Sequence, residues 1–179
     1  QAPSWLDIEN PDWDGNYKVK FWDPAWQALI YGNDSAYLDQ IIAMGFDGAY
    51  LDIIDGYEYY EEQGDSSAAQ KMVDFVINIS TYCKSKKSSF LIIPQNGEAL
   101  GGFSDYIAAI DGIGREDIFF EDNRRQPEED ITSAQTYLTK FLDAGKFVFN
   151  VEYPTLPRYV RLAYTAAYEA GYLCYVGPR

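Results

Sequence analysis

Two carboxylates stand out because of their surroundings. Asp52 lies in the apolar run Gly48-Ala49-Tyr50-Leu51-Asp52-Ile53-Ile54, where a charge is costly unless it is hydrogen-bonded or put to use. In extended chain, Tyr50, Asp52 and Ile54 share one face. Glu116 closes Gly112-Ile113-Gly114-Arg115-Glu116. There Gly112, Gly114 and Glu116 share a face, and the glycines are expected to clear space on it. Two carboxylates on different strands are the minimal equipment for glycoside hydrolysis. One protonates the leaving oxygen; the other attacks the anomeric carbon or activates water. Each residue also has a plainer reading. Asp52 suits the end of a strand, capping the next turn, and Glu116 suits the start of an acidic loop that continues to Glu121 and Asp122. Asp55, followed by Gly56, reads as a turn residue.

Other chemistries are excluded by composition. The 179-residue chain has no histidine, which removes Ser-His-Asp and Cys-His catalysis and imidazole metal ligation. Its two cysteines, Cys83 and Cys174, are far apart and form neither a zinc motif nor a disulfide framework. Acid–base work therefore falls to carboxylates, with Tyr and Lys as lesser candidates. Asp12-Trp13-Asp14-Gly15-Asn16 misplaces the glycine and terminal Glu of a calcium loop and reads as a turn. Gly97…Gly101-Gly102 lacks the Gly-Lys-Ser/Thr ending of a phosphate loop. The expectation is no metal and no cofactor.

The net charge of −14 disfavours nucleic acid and anionic membrane surfaces as partners. It permits neutral or cationic ligands and is equally ordinary as a device for solubility. No apolar run approaches the roughly 20 residues of a membrane span. No signal peptide is visible, and the opening Gln1-Ala2-Pro3-Ser4 reads as a processed or truncated start. Aromatic residues make up 17% of the chain, with 16 Tyr and four Trp. Tyr57, Tyr59 and Tyr60 follow the Asp52 run and offer flat faces for sugar rings, although most aromatics in any domain are packing.

These residues need elements to position them. Tyr37, Leu38, Ile41 and Ile42 fall at helical spacing after Asp34-Ser35, the helix stops at Gly45, and a strand-like run follows. The same helix–Gly–strand unit recurs at Gly145 and Gly171, where glycine suits a left-handed helix C-cap. Further helices are expected after Asp65-Ser66, with Met72, Val73, Val76, Ile79 and Cys83 on one face, after Pro127 and after Pro157. Strands are expected near 17–22, 49–54, 89–93, 110–115, 147–152 and 172–176. Alternating strands and helices argue for a parallel α/β sheet in a single domain, either an open sheet or part of a barrel. Chemistry then belongs at the C-terminal strand ends. These are polar throughout: Trp22-Asp23, Asp52 to Asp55, Gln95-Asn96-Gly97-Glu98, Glu116-Asp117 and Glu152-Tyr153.

Taken together, these stretches resemble the endo-α-1,4-polygalactosaminidase-like glycoside hydrolases, glycoside hydrolase family 114. The similarity runs in order through Asn10-Pro11-Asp12-Trp13-Asp14-Gly15-Asn16-Tyr17-Lys18-Val19-Lys20-Phe21-Trp22-Asp23-Pro24, then Gly45-Phe46-Asp47-Gly48-Ala49-Tyr50-Leu51-Asp52-Ile53-Ile54-Asp55. It continues through Ile93-Pro94-Gln95-Asn96-Gly97, Asp111-Gly112-Ile113-Gly114-Arg115-Glu116-Asp117, Val151-Glu152-Tyr153 and Gly171-Tyr172…Tyr175-Val176. The resemblance implies an α/β fold of the (β/α)8 TIM-barrel type, with strands four to eight present and the first three without counterpart. It places Asp52 and Glu116 at the two catalytic carboxylate positions, with Trp22, Asp23, Asp55, Asn96 and Glu152 around the cleft; the aromatic Tyr57 and Tyr153 join these as substrate contacts. The expected activity is cleavage of an α-linked, galactosaminan-type polysaccharide outside the cell or at its envelope, with Glu116 as acid and Asp52 as nucleophile or base. The rival expectation is a non-catalytic carbohydrate-binding barrel protein. Oligomeric state is left open.

Overall fold

The computed structural model describes residues 2–11 and 13–178. The chain forms two compact units, residues 1–49 with 56–91, and residues 50–55 with 92–179.

In the first unit, β1 (Leu6–Glu9) and β2 (Tyr17–Val19) form an antiparallel pair with Leu6 opposite Val19 and Glu9 opposite Tyr17. The connecting segment turns as expected, with Trp13 N–H bonded to Asn10 O, Asn16 N–H to Trp13 O and Gly15 at φ 81°; Asp12 of that run lies outside the described residues. The strand expected over 17–22 is thus corrected. It is three residues long and pairs with an uncalled antiparallel partner, because Asp23 N–H closes a turn onto Lys20 O. Asp23 then caps α1 (Pro24–Ile30), its Oδ1 accepting from Ala25 N–H at 2.8 Å. The unit continues with α2 (Tyr37–Ala43), a short α3 (Tyr57–Glu62) and the 19-residue α4 (Ala68–Lys86). The face read from sequence, Met72, Val73, Val76, Ile79 and Cys83, is buried.

A five-strand set carries the second unit. β3 (Gly48–Leu51) neighbours β4 (Leu91–Pro94). Leu91 N–H bonds Asp47 O and Gln95 N–H bonds Leu51 O; equal steps in the same direction are the parallel pattern. Past β4, Gln95 makes a parallel bridge to Gly114 of β5 (Gly112–Glu116). β5 pairs in parallel with β8 (Phe147–Glu152), which pairs in parallel with β9 (Leu173–Val176). Between them lie α5 (Ser104–Ala109), a hairpin of β6 (Phe120–Glu121) and β7 (Arg124–Arg125), α6 (Glu128–Asp143) and, before β9, α7 (Pro157–Glu169). Gly45, Gly145 and Gly171 all have positive φ, 89°, 74° and 79°, as expected for glycines ending helices.

The parallel α/β architecture is as the sequence implied. Among the described residues, however, no strand ladder closes the sheet into a ring. Period-two alternation sorts the sheet faces: along β8, Val148, Asn150 and Glu152 are buried, whereas Phe147 is 60% exposed. Leu173 and Tyr175 of β9 are likewise exposed. An open cavity of about 380 Å³ is lined by Tyr50, Ile93, Phe149, Val151, Leu173 and Tyr175.

Candidate active site

The second unit places polar groups at three consecutive C-terminal strand ends. β3 stops at Leu51, one residue before Asp52. Asp52 is exposed, and its Oδ1 accepts from the Ile53 N–H at 2.9 Å. Ile53 has φ 60°, a costly left-handed conformation for a β-branched residue. That reversal ends the expected extended run to residue 54. Tyr50 and Asp52 are exposed, but Ile54 is buried at the start of a 3₁₀ turn, so the shared face read from sequence stops at Asp52.

The end of β4 is bent in the same way, with Asn96 at φ 62° and Gly97 at φ 64°. Gly97 packs on the Ile54–Asp55 backbone, where a Cβ would meet Asp55 N at 3.4 Å. Asp55 is half-buried. Burial pushes its carboxyl above the ordinary carboxylate range, against the opposing pull of Arg115 and a hydrogen bond from Asn96; the charge of Asp52 pushes it further up. Positive φ outside glycine clusters where surrounding structure imposes it, often at functional sites.

Glu116 ends β5. Its Oε2 accepts the Tyr153 hydroxyl at 2.8 Å. Its backbone N–H points at Asn96 Oδ1, 3.5 Å away. Arg115, one residue before, pairs through Nε with Glu98 Oε1 at 3.0 Å and reaches Asn96 Oδ1 through Nη1 at 3.4 Å. The guanidinium is thus committed to Glu98 and Asn96.

The glycines of β5 do not leave open space. A Cβ at Gly112 would meet Phe147 O at 2.9 Å, and one at Gly114 would overlap the Tyr50 hydroxyl. That hydroxyl therefore stands directly over Gly114. Its pKa is pushed up to about 12, first by burial, then by the charge of Glu116 and then by that of Asp52. One phenol on β3 thus feels both candidate carboxylates.

The remaining expected residues have other engagements. Glu152 is fully buried; Oε1 accepts from Phe119 N–H at 2.8 Å and Asn150 Nδ2 at 2.9 Å, and Oε2 from Phe120 N–H at 3.0 Å. It ties the segment after β5 to β8, and a substrate would have to break those bonds to reach it. Trp22, Asp23 and Tyr57 belong to the first unit. Trp22 packs edge-on to Tyr60 under Lys71, Asp23 caps α1, and Tyr57 is 3% exposed, which removes it as a sugar platform. The structure therefore joins Asp55, Asn96, Arg115 and Glu98 in one set, pairs Glu116 with Tyr153 and seats Tyr50 on Gly114, while the charge of Asp52 is felt at Tyr50 and Asp55. Tyr50 was missed as a site residue although it shares the strand face of Asp52; what stands opposite that face is not written in its spacing. Among the described residues, no group of three or more Cys, Asp or Glu is arranged to hold a metal ion.

The sequence profile of glycoside-hydrolase family GH114 matches residues 1–176. The chain belongs to this family. It is 41% identical over 157 residues to an uncharacterized protein of Methanocaldococcus jannaschii, covering 84% of this chain and 44% of the relative. A second uncharacterized protein, from Deinococcus radiodurans, is 38% identical over 180 residues, covering 99% of this chain and 56% of the relative. The chain spans about half the length of these relatives. Among solved structures, it is similar to the glycoside hydrolase domain of PelA from Pseudomonas aeruginosa, with TM-score 0.69 and 15% identity over 90% of this chain and 63% of that one. A variant of the same domain superposes with TM-score 0.72 and 16% identity, covering 97% and 68%. At that identity the likeness is one of fold.

Proposed function

We propose that this chain carries the catalytic carboxylates of a glycoside hydrolase acting on an α-linked amino-sugar polysaccharide of galactosaminan type. The observation that supports it best is the Tyr50 phenol, which stands within the electrostatic reach of both Asp52 and Glu116 at the ends of β3 and β5. Two carboxylates on either side of a glycosidic bond can protonate its oxygen and attack, or activate water at, the anomeric carbon. Glu116 is assigned as the acid and Asp52 as nucleophile or base. Arg115, the residue before Glu116, is held by Glu98 and Asn96, so its charge is already engaged and the corner favours a ligand that brings its own positive charge. The net charge of −14 would steer a partly deacetylated glycan by the same sign rule. Such polymers lie outside the membrane, so the proposal extends to an extracellular or envelope location, tested by fractionating cells that express the tagged full-length protein.

The test is release of reducing ends by the full-length protein from deacetylated galactosaminan, chitosan and neutral α-glucans. Turnover on the galactosaminan is expected, with Asp52→Asn and Glu116→Gln each losing roughly 10²-fold or more in kcat while binding persists. No turnover, together with unchanged binding in the double variant, would instead establish a carbohydrate-binding protein.

A further inference from the structure

We infer that Tyr50 is a positioning residue of this site, seated on Gly114 so that its hydroxyl donates a hydrogen bond to whichever of Asp52 and Glu116 is ionised. The inference rests on the two-carboxylate reading above and adds a residue to it.

The seat is specific. Any side chain at residue 114 would collide with the Tyr50 hydroxyl and ring, so glycine there fixes where the phenol ends. The hydroxyl itself has no hydrogen-bond partner among the described residues. Tyr50 is 45% exposed, so the hydroxyl can be held by water until a closer partner displaces it. Acceptors are at hand. Glu116 Oε2 is taken by Tyr153 and Asp52 Oδ1 by the Ile53 N–H, which leaves one oxygen of each carboxylate for a further donor. Burial first, and then the charges of Glu116 and Asp52, keep the phenol in its protonated, donating form. Of the neighbouring charged groups, Asp55 feels Asp52 directly, and Arg115 faces Asp55. Catalytic hydrogen bonds are often long in the free enzyme and tighten when substrate closes the site.

The alternative is that Tyr50 is only packing, one wall of the open cavity with Ile93, Phe149 and Tyr175. Tyr50→Phe separates the two, since it keeps the ring and removes the donor. In the full-length protein, Tyr50→Phe is expected to lower kcat roughly tenfold, the worth of one ordinary hydrogen bond, with KM little changed. Removing a donor from an ionised carboxylate makes that carboxylate easier to protonate. The acid limb of the kcat/KM profile should therefore move up by roughly half to one pH unit, while the alkaline limb stays. Gly114→Ala should shift the same limb by displacing the hydroxyl. Parental kcat and an unmoved acid limb in Tyr50→Phe overturn the inference, as does a loss of rate with neither limb moved. If Asp52→Asn and Glu116→Gln keep parental turnover, the two-carboxylate reading fails and takes the inference with it. If those two are inactive and Tyr50→Phe is parental, only the inference fails.

Discussion

Glu152→Gln is expected to weaken the fold, not the binding of substrate. The Glu152 carboxylate is wholly buried and accepts three hydrogen bonds, from the Phe119 and Phe120 amides and Asn150 Nδ2 at 2.8, 3.0 and 2.9 Å. Glutamine keeps the volume and one acceptor oxygen, but turns an NH2 group toward donors. With the amide oxygen at the Oε1 position the Phe119 and Asn150 bonds are kept and the Phe120 bond is lost, at about 1.5–3 kcal/mol. Relief of the buried charge offsets part of this, for a net loss of about 1–2 kcal/mol. At this chain length that lowers Tm by roughly 2–8 °C. The pH dependence carries its own signature. Burial raises the Glu152 carboxyl above its ordinary value, so the folded state holds this proton more tightly than the unfolded one. That contribution is fully present below the ordinary value of about 4.3 and is lost as pH rises through the raised one. Glutamine has no such slope, so the gap between parent and variant narrows across that window. Urea titrations at several pH values, with KM on the same samples, decide it. Unfolding free energies within about 0.5 kcal/mol of each other, with a raised KM, would refute the reasoning and return Glu152 to the substrate.

Three further outcomes are expected. Gly48→Ala places a Cβ 2.6 Å from Leu91 O and 2.8 Å from Leu91 Cβ, and should cost about 1–3 kcal/mol in urea unfolding; unchanged stability would refute it. Ile53→Gly should leave stability unchanged or raise it by up to about 1 kcal/mol, because the strain at φ 60° is relieved and a side chain 63% exposed gives up little burial; a loss above about 1 kcal/mol would show Ile53 to be packed and unstrained. Activity should survive exhaustive chelation, and a loss restored by calcium would overturn the metal-free reading.

Much of the frame was legible in the chain itself. Helical spacing followed by Gly45, Gly145 or Gly171 and an apolar run marks each helix–strand unit, because local backbone preference decides where a helix stops. The same locality made Asp52 and Glu116 conspicuous, one as a charge in an apolar run and the other after two glycines. Tertiary structure decided what those glycines and strand ends face. Gly114 makes room for the Tyr50 hydroxyl and Gly112 lies against Phe147 and Phe149, so neither opens space for a carboxylate. Tyr153 meets Glu116 across 37 residues, and Glu152 turns inward to the Phe119 and Phe120 amides. Tyr17–Val19 joins a hairpin in place of the parallel sheet. Alternation assigns a side chain to a face, but the partner on that face comes from another strand, and only packing brings the two together.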